Sequence, residues 1–273
     1  MIGQSMSKQI RYASFAILIL VFLFALFANF VAPADYGKQF REAPNAAPSK
    51  QFLLGTDALG RDRFSRLIYG TRVSLLLAPA AALISTLLAA LIGGVAGYFG
   101  GWTETLALRL IDLFLSMPWL FLLITVRAML PLNTPPVLSV VITFSLLGLL
   151  GWAASARVVA AGAKSLSASD LVLQAKASGF HGFRLFAVHV LPNLKPLLVA
   201  QFLISIPMYI LAEANLGILG LGVSEPLPSW GSLLREIEAY SAASQPWLFV
   251  PLVLLVAVVT CFQVALSSKE LPS

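Results

Sequence analysis

Six stretches of this chain stay apolar for longer than a water-soluble helix normally does, at about 13–31, 73–99, 105–126, 137–160, 197–222 and 247–266. A helix needs about 20 mostly apolar residues to cross the hydrocarbon layer. In lipid every backbone N–H and C=O must also find a partner within the protein. A helix meets that demand alone, whereas an open sheet does not. A membrane β-barrel would alternate apolar and polar residues, and these runs do not alternate. The expected fold class is therefore an all-α integral membrane protein with six transmembrane helices. The charged fraction of 11% agrees, being well under the ~25% usual for soluble domains. A net charge of +6 suits loops beside anionic headgroups. The basic residues are scattered, so membrane lipid and not nucleic acid is the expected partner.

The first span is preceded by Lys8 and Arg11 and followed by Ala32-Pro33-Ala34, a small-x-small pattern. Its apolar core is longer than the ~7–15 residues of a signal peptide, which favours an uncleaved anchor. The positive-inside rule gives most weight to charges beside the first helix. Lys8 and Arg11 then put the N-terminus in the cytoplasm, and six spans return the C-terminus there, with Lys269. The expected organisation is an N-terminal segment and anchor over 1–32, an external loop over 33–72 and a five-span core over 73–273, with a cytoplasmic loop over 161–196. Gly93, Gly97 and Gly101 form two small-xxx-small steps. These fit either close packing within the chain or a contact between subunits. Cys261, the single cysteine, lies in an apolar run and can form no internal disulfide.

Catalytic constellations are missing. There is neither a G-x-S-x-G elbow nor an H-E-x-x-H pair. His181 and His189 are interrupted by Gly182, and no cysteine or close carboxylate pair completes a metal site beside them. Gly162-Ala163-Lys164-Ser165 fails as a phosphate loop, because Ala163 and Val158 stand where glycines must let backbone amides wrap phosphate. An enzyme is not expected, nor a cofactor in this chain. Four charges fall in or near the spans. Arg109 and Asp112 are three apart and can pair on one helical face, and Arg157 can snorkel toward the inner headgroups. Glu213 lies well inside the fifth span. A charge at depth costs ~2.5–3.5 kcal/mol on insertion scales and must face protein or water. Glu213 and Asp112 are candidate pathway or gate residues, and for Glu213 the plainer role is a polar partner within the bundle.

Three segments carry a family resemblance. Ala175-Lys176-Ala177, Gly179 and Leu191-Pro192-Asn193 resemble the "EAA" loop of permease subunits of binding-protein-dependent ABC importers. Leu54-Gly55-Thr56-Asp57-Ala58-Leu59-Gly60-Arg61-Asp62, continuing to Arg72-Val73-Ser74-Leu75, is similar to the first-loop signature of the dipeptide/oligopeptide/nickel branch. Glu213-Ala214, Leu219-Gly220-Leu221-Gly222 and Pro228-Ser229-Trp230-Gly231 resemble the segment before that branch's last span. The resemblance implies a type I ABC importer permease-like bundle in the bacterial cytoplasmic membrane. It also implies a second homologous permease subunit, in a heterodimer, two ATPase subunits that hold ATP and Mg, and an external solute-binding protein.

The same resemblance assigns ATPase coupling to Leu173, Gln174, Ala175, Lys176, Ala177, Gly179, Arg184, His189, Leu191 and Pro192. It places Gly55, Asp57, Gly60, Arg61, Asp62 and Trp230 on the outer face. Ser167 or Ser169 can cap a first coupling helix, Gly179 can end it, a second can run over 183–190, and Pro192 fits near the start of the next. One departure stands out. Leu173 occupies the position of the family's usual glutamate, so coupling there is either apolar or weakened. The expected function is ATP-driven import of short peptides or a related solute. A stand-alone secondary transporter or channel is the rival, and it would need an intramembrane ion relay that the chain scarcely offers.

Overall fold

A computed structural model describes residues 2–129, 131, 134–239 and 245–266. Of Lys8 only the backbone is described, and Lys269 with the C-terminal tail lies outside the described residues. These residues are nearly all helical, with two isolated bridges and no strand among them. In chain order the helices are α1 (Ile2–Leu26), α2 (Ala28–Val31), α3 (Arg63–Phe99), α4 (Gly101–Ser116), α5 (Trp119–Ala128), α6 (Pro136–Leu150) and α7 (Ala153–Ser167). They continue with α8 (Asp170–Ala177), α9 (Gly182–Leu185), α10 (Leu191–Asn193), α11 (Lys195–Ile218), α12 (Trp230–Ala239) and α13 (Val250–Leu266). Four helical segments, within α1, α3, α11 and 246–266, are long and apolar enough to cross a membrane, and two bent pairs raise the total to six.

The third and fourth apolar runs are each broken by a bend. Between α4 and α5 the axis turns by 79°, at Met117-Pro118. Met117 is extended (ψ 133°), because a proline ring pushes the preceding residue out of the α region. Between α6 and α7 the axis turns by 42° at Gly151-Trp152.

The chain divides into two compact units, Met1–Ala78 with Leu130–Thr143 and Pro207–Ser273, and Pro79–Met129 with Phe144–Ile206. In the first, α1 packs on α13. Only a narrow stripe of α1 is buried, Ser14, Leu18 and Ala25, at helical intervals. Its larger side chains, among them Ile19, Leu20 and Phe24, point outward, as a helix bathed in lipid allows.

In the second unit the core gathers Ala89, Ile111, Trp152, Ala156, Val159, Val172, Leu185 and Phe186. Over the part of α3 in this unit, from Pro79 on, the buried face is built of small residues, among them Ala81, Ala82, Ser85, Ala89, Gly93 and Gly97, while Leu83, Leu87 and Leu91 are exposed. Small residues inward and leucines outward is the pattern of a helix that associates by close backbone approach in lipid. A Cβ at Gly93 or Gly97 would collide with the carbonyl oxygens of Ala156 or Ala160 on α7. For these two glycines the small-residue steps therefore serve packing within the chain. Nothing lies within 4 Å of a Cβ at Gly101.

Gly97→Leu is expected to destabilise the protein by about 1–3 kcal/mol through overpacking. Gly101→Asn, at a positive φ that asparagine tolerates, should cost well under ~1 kcal/mol. Thermal unfolding midpoints in detergent test the contrast.

Candidate functional site

The polar segment after α7 folds as the sequence led us to expect at its first turn. Ser169 takes the N-cap position of α8 with extended backbone, but its hydroxyl donates to Leu166 O and not to the helix. The helix ends in a Schellman turn. Gly179 has φ +90°, its N–H donates to Lys176 O, and Phe180 N–H donates to Ala175 O. Beyond it the expected second helix over 183–190 forms in two parts. α9 runs into a π-helical stretch, Phe186–Val190, which continues through α10 into α11. Pro192 has no N–H for the α ladder, and a wider turn on its N-terminal side accommodates the loss.

The faces of this segment separate the coupling candidates. Leu173 is 52% exposed, and Gln174, Lys176, Ala177 and Gly179 are also exposed. Ala175 is buried beside Val172 in the core of its unit. A bulky charge at Ala175 would therefore disrupt that core. Arg184 lies over the Phe180 ring at 5.1 Å, and His189 meets the same ring edge-on at 4.7 Å. Leu191 and Pro192 sit on α10. Phe183, 69% exposed, adds a second large apolar side chain at the surface and meets the Phe186 ring at 6.0 Å.

In the first unit, pieces of two sequence motifs converge on one buried node. Glu213 on α11 is fully buried, and Ser74 on α3 donates to its Oε2 at 3.0 Å. The backbone N–H of Trp230 donates to Ser74 Oγ at 3.1 Å, and the indole Nε1–H donates to Thr71 Oγ1 at 2.9 Å. Trp230 opens α12, whose start is closed by a reciprocal pair, Ser232 N–H to Ser229 Oγ and Ser229 N–H to Ser232 Oγ. This is a capping-box arrangement with serine in the acid's place. Backbone packs on backbone at Gly217 and Gly231, where a Cβ on either glycine would overlap the other residue.

The 55–62 loop is anchored by charge. Gly55 and Gly60 adopt positive φ against the backbone of Ala46 and Phe40. Asp57 Oδ1 accepts the N–H groups of Leu59 and Arg61. Asp62 Oδ2 accepts the N–H of Ser65 at 2.9 Å and its hydroxyl. Arg61 bridges Asp57 and Glu225 at 2.6 Å each. Behind it Arg66, fully buried, reaches Glu225 at 3.0 Å, Asp57 at 3.8 Å and Glu236 at 3.9 Å. Arg63 pairs with Glu236 at 3.2 Å.

Burial pulls the Arg61 guanidinium down, but its bond to Asp57 and the charge of Glu225 hold it above its usual value. Burial pushes the Glu236 carboxyl up against the opposing pull of Arg66 and Arg63. Arg66 lies inside the first-loop motif but was not singled out, and Glu225 and Glu236 were not expected as its partners. The sequence signal was present as three arginines within six residues, but Glu225 and Glu236 lie 159 to 173 positions from the arginines they bond.

Asp112 does not pair with Arg109, as their spacing allowed. It pairs with Arg157 of α7. A second ion pair joins the same two helices, Lys164 to Glu104 at 2.7 Å.

Comparison with known proteins gives the same direction. A family described as binding-protein-dependent transport system inner membrane component matches residues 89–269. A second, the N-terminal TM domain of oligopeptide transport permease C, matches residues 9–48. The chain is 32% identical over 229 residues to the dipeptide transport system permease protein DppC of Bacillus subtilis, covering 84% of this chain and 70% of that protein. It is 37% identical to the di/tripeptide transport system permease protein DppC of Pseudomonas aeruginosa, covering 82% and 74%. It is 33% identical to the oligopeptide transport system permease protein OppC of Mycobacterium tuberculosis H37Rv, covering 91% and 84%.

Breaking a buried ion pair from its buried side typically costs ~3–5 kcal/mol, and removing a half-exposed partner costs nearer ~1 kcal/mol. Arg66→Met should therefore destabilise more than Glu225→Gln, and the double variant less than their sum. Chemical unfolding in detergent, run as a double-mutant cycle, reads this.

Proposed function

The chain belongs to the family of inner membrane components of binding-protein-dependent transport systems, and from that premise we propose that it is the non-catalytic permease subunit of an ABC importer of short peptides. The relatives' substrates are the ground for the peptide assignment. Energy comes from ATP and Mg on two separate ATPase subunits, a second homologous permease completes the path as a heterodimer, and an external binding protein delivers the solute. N- and C-termini face the cytoplasm in this reading.

The observation that carries the coupling role is the outward face of α8 and α9. Leu173 and Phe183 are large, apolar and exposed, with Leu171 and Val188 also exposed on the same segment, and burial against a partner contributes about 25 cal/mol per Å² of apolar surface removed from water. Lys176 and Arg184 flank them and supply charge. Leu173, in the place of the usual acid, makes this contact one of packing more than of ion pairing. The segment that transmits motion is the helical path from α8 through the π turn into α11, since coupling needs a contiguous element with two arrangements. The ion cluster around Arg66 and the Trp230 node hold the 55–62 loop and the start of α12 on the outer side, where the binding protein docks.

The complex should be purified from native membranes and tested for co-purifying ATPases, then reconstituted with its binding protein. Gly179→Pro removes the Gly179 N–H of the Schellman turn and is expected to abolish peptide-stimulated ATPase activity while the chain still inserts. Normal stimulation in that variant would count against the assigned coupling loop, and transport by the purified chain without any ATPase would overturn the functional reading.

A further inference from the structure

Two ion pairs cross between α4 and α7, and they sit at different depths. Glu104 and Lys164 lie near the start of α4 and the end of α7, where an interfacial pair needs no special explanation. Asp112 lies about 16 Å along α4 from Gly101, and Arg157 about 15 Å back along α7 from Ser167, at 1.5 Å per residue. By the apolar runs 105–126 and 137–160, Arg109 and Asp112 lie inside the third span and Arg157 close to the end of the fourth. Yet the side chains of Asp112 and Arg157 are 61% and 51% exposed on the chain's surface. Arg109, on the same face of α4 as Asp112, is exposed too and pairs with no carboxylate among the described residues. Lipid does not tolerate such a face. A dry protein interface does not suit it either, because it carries one guanidinium more than it has carboxylates.

We propose that the α4–α7 face bearing Asp112, Arg157 and Arg109 lines the water-filled path and is a transient subsite for the two charged ends of a zwitterionic peptide. This rests on the peptide-importer reading above. Asp112 can exchange Arg157 for the ligand's ammonium. Arg157, released, takes the carboxylate in a bidentate bond, and Arg109 adds a second donor. The resident pair is half exposed to water, so the exchange is close to balanced, and the peptide is held briefly and let go, as conduction requires.

The test uses the reconstituted complex with its binding protein. The native chain has one thiol, Cys261, and it is buried, so Arg109→Cys introduces a single accessible target. It should react with a membrane-impermeant, charged thiol reagent during turnover, and a saturating tripeptide should slow the reaction at least ~5-fold. Asp112→Asn should raise the KM for a tripeptide with free termini about 10-fold while changing the maximal rate less than ~2-fold, and Asp112→Glu should restore much of the loss. A merely structural pair would lower the amount of assembled complex and the maximal rate, and leave KM unchanged. An unreactive Arg109→Cys, labelling indifferent to peptide, or an unchanged KM in Asp112→Asn would overturn the subsite. Wild-type complex that takes up no peptide at all would instead overturn the functional reading.

Discussion

Lipid offers the backbone no hydrogen bonds, and the rest of this architecture follows from that constraint. Helices must form first and then find one another without help from water-driven burial of apolar surface, since the solvent is itself apolar. What remains is close contact. The small-residue face of α3 meets the carbonyls of α7 so closely that Gly93 and Gly97 have no room for a side chain. Gly217 and Gly231 meet in the same manner in the other unit. The larger side chains are displaced outward, where a soluble protein would not leave them.

The same constraint sorts the polar residues. Where a carboxylate is fully buried, as Glu213 is, the Ser74 hydroxyl donates to it and itself accepts from Trp230 N–H. Where arginines are buried, as Arg66 is, three carboxylates surround it within 4 Å. Removing water without supplying partners would cost several kcal/mol per group. The two motifs that looked separate in the chain, around 55–75 and 213–231, are thus the two sides of shared polar contacts.

The six spans were legible because hydropathy over about twenty residues is a coarse quantity that needs no partner to interpret. The Gly179 turn was legible for the opposite reason, since a left-handed position is a local demand that one residue type meets. The bends were not. Pro118 falls in an apolar run just as Pro79 and Pro207 do, yet those two stay inside continuous helices. Only tertiary context separates the cases. Asp112 shows the same limit, since spacing exposes a neighbour three residues away and cannot show Arg157, 45 positions on. Ala175 was read by motif as a contact residue, but eight residues of helix are too few for the buried side to declare itself by period alone.

Arg66 also determines how the 55–62 loop senses the medium. Mobile ions screen exposed charges over about 8 Å at physiological strength but penetrate a protein interior little. Glu104 and Lys164, the lysine 65% exposed, form the kind of pair that a saltier solution loosens. Arg66 and Asp57, at 0% and 5%, are out of its reach. A bacterium moving between dilute and concentrated surroundings would keep the Asp57 side of this clamp in place, while the Glu225 side, 54% exposed, feels the electrolyte it faces.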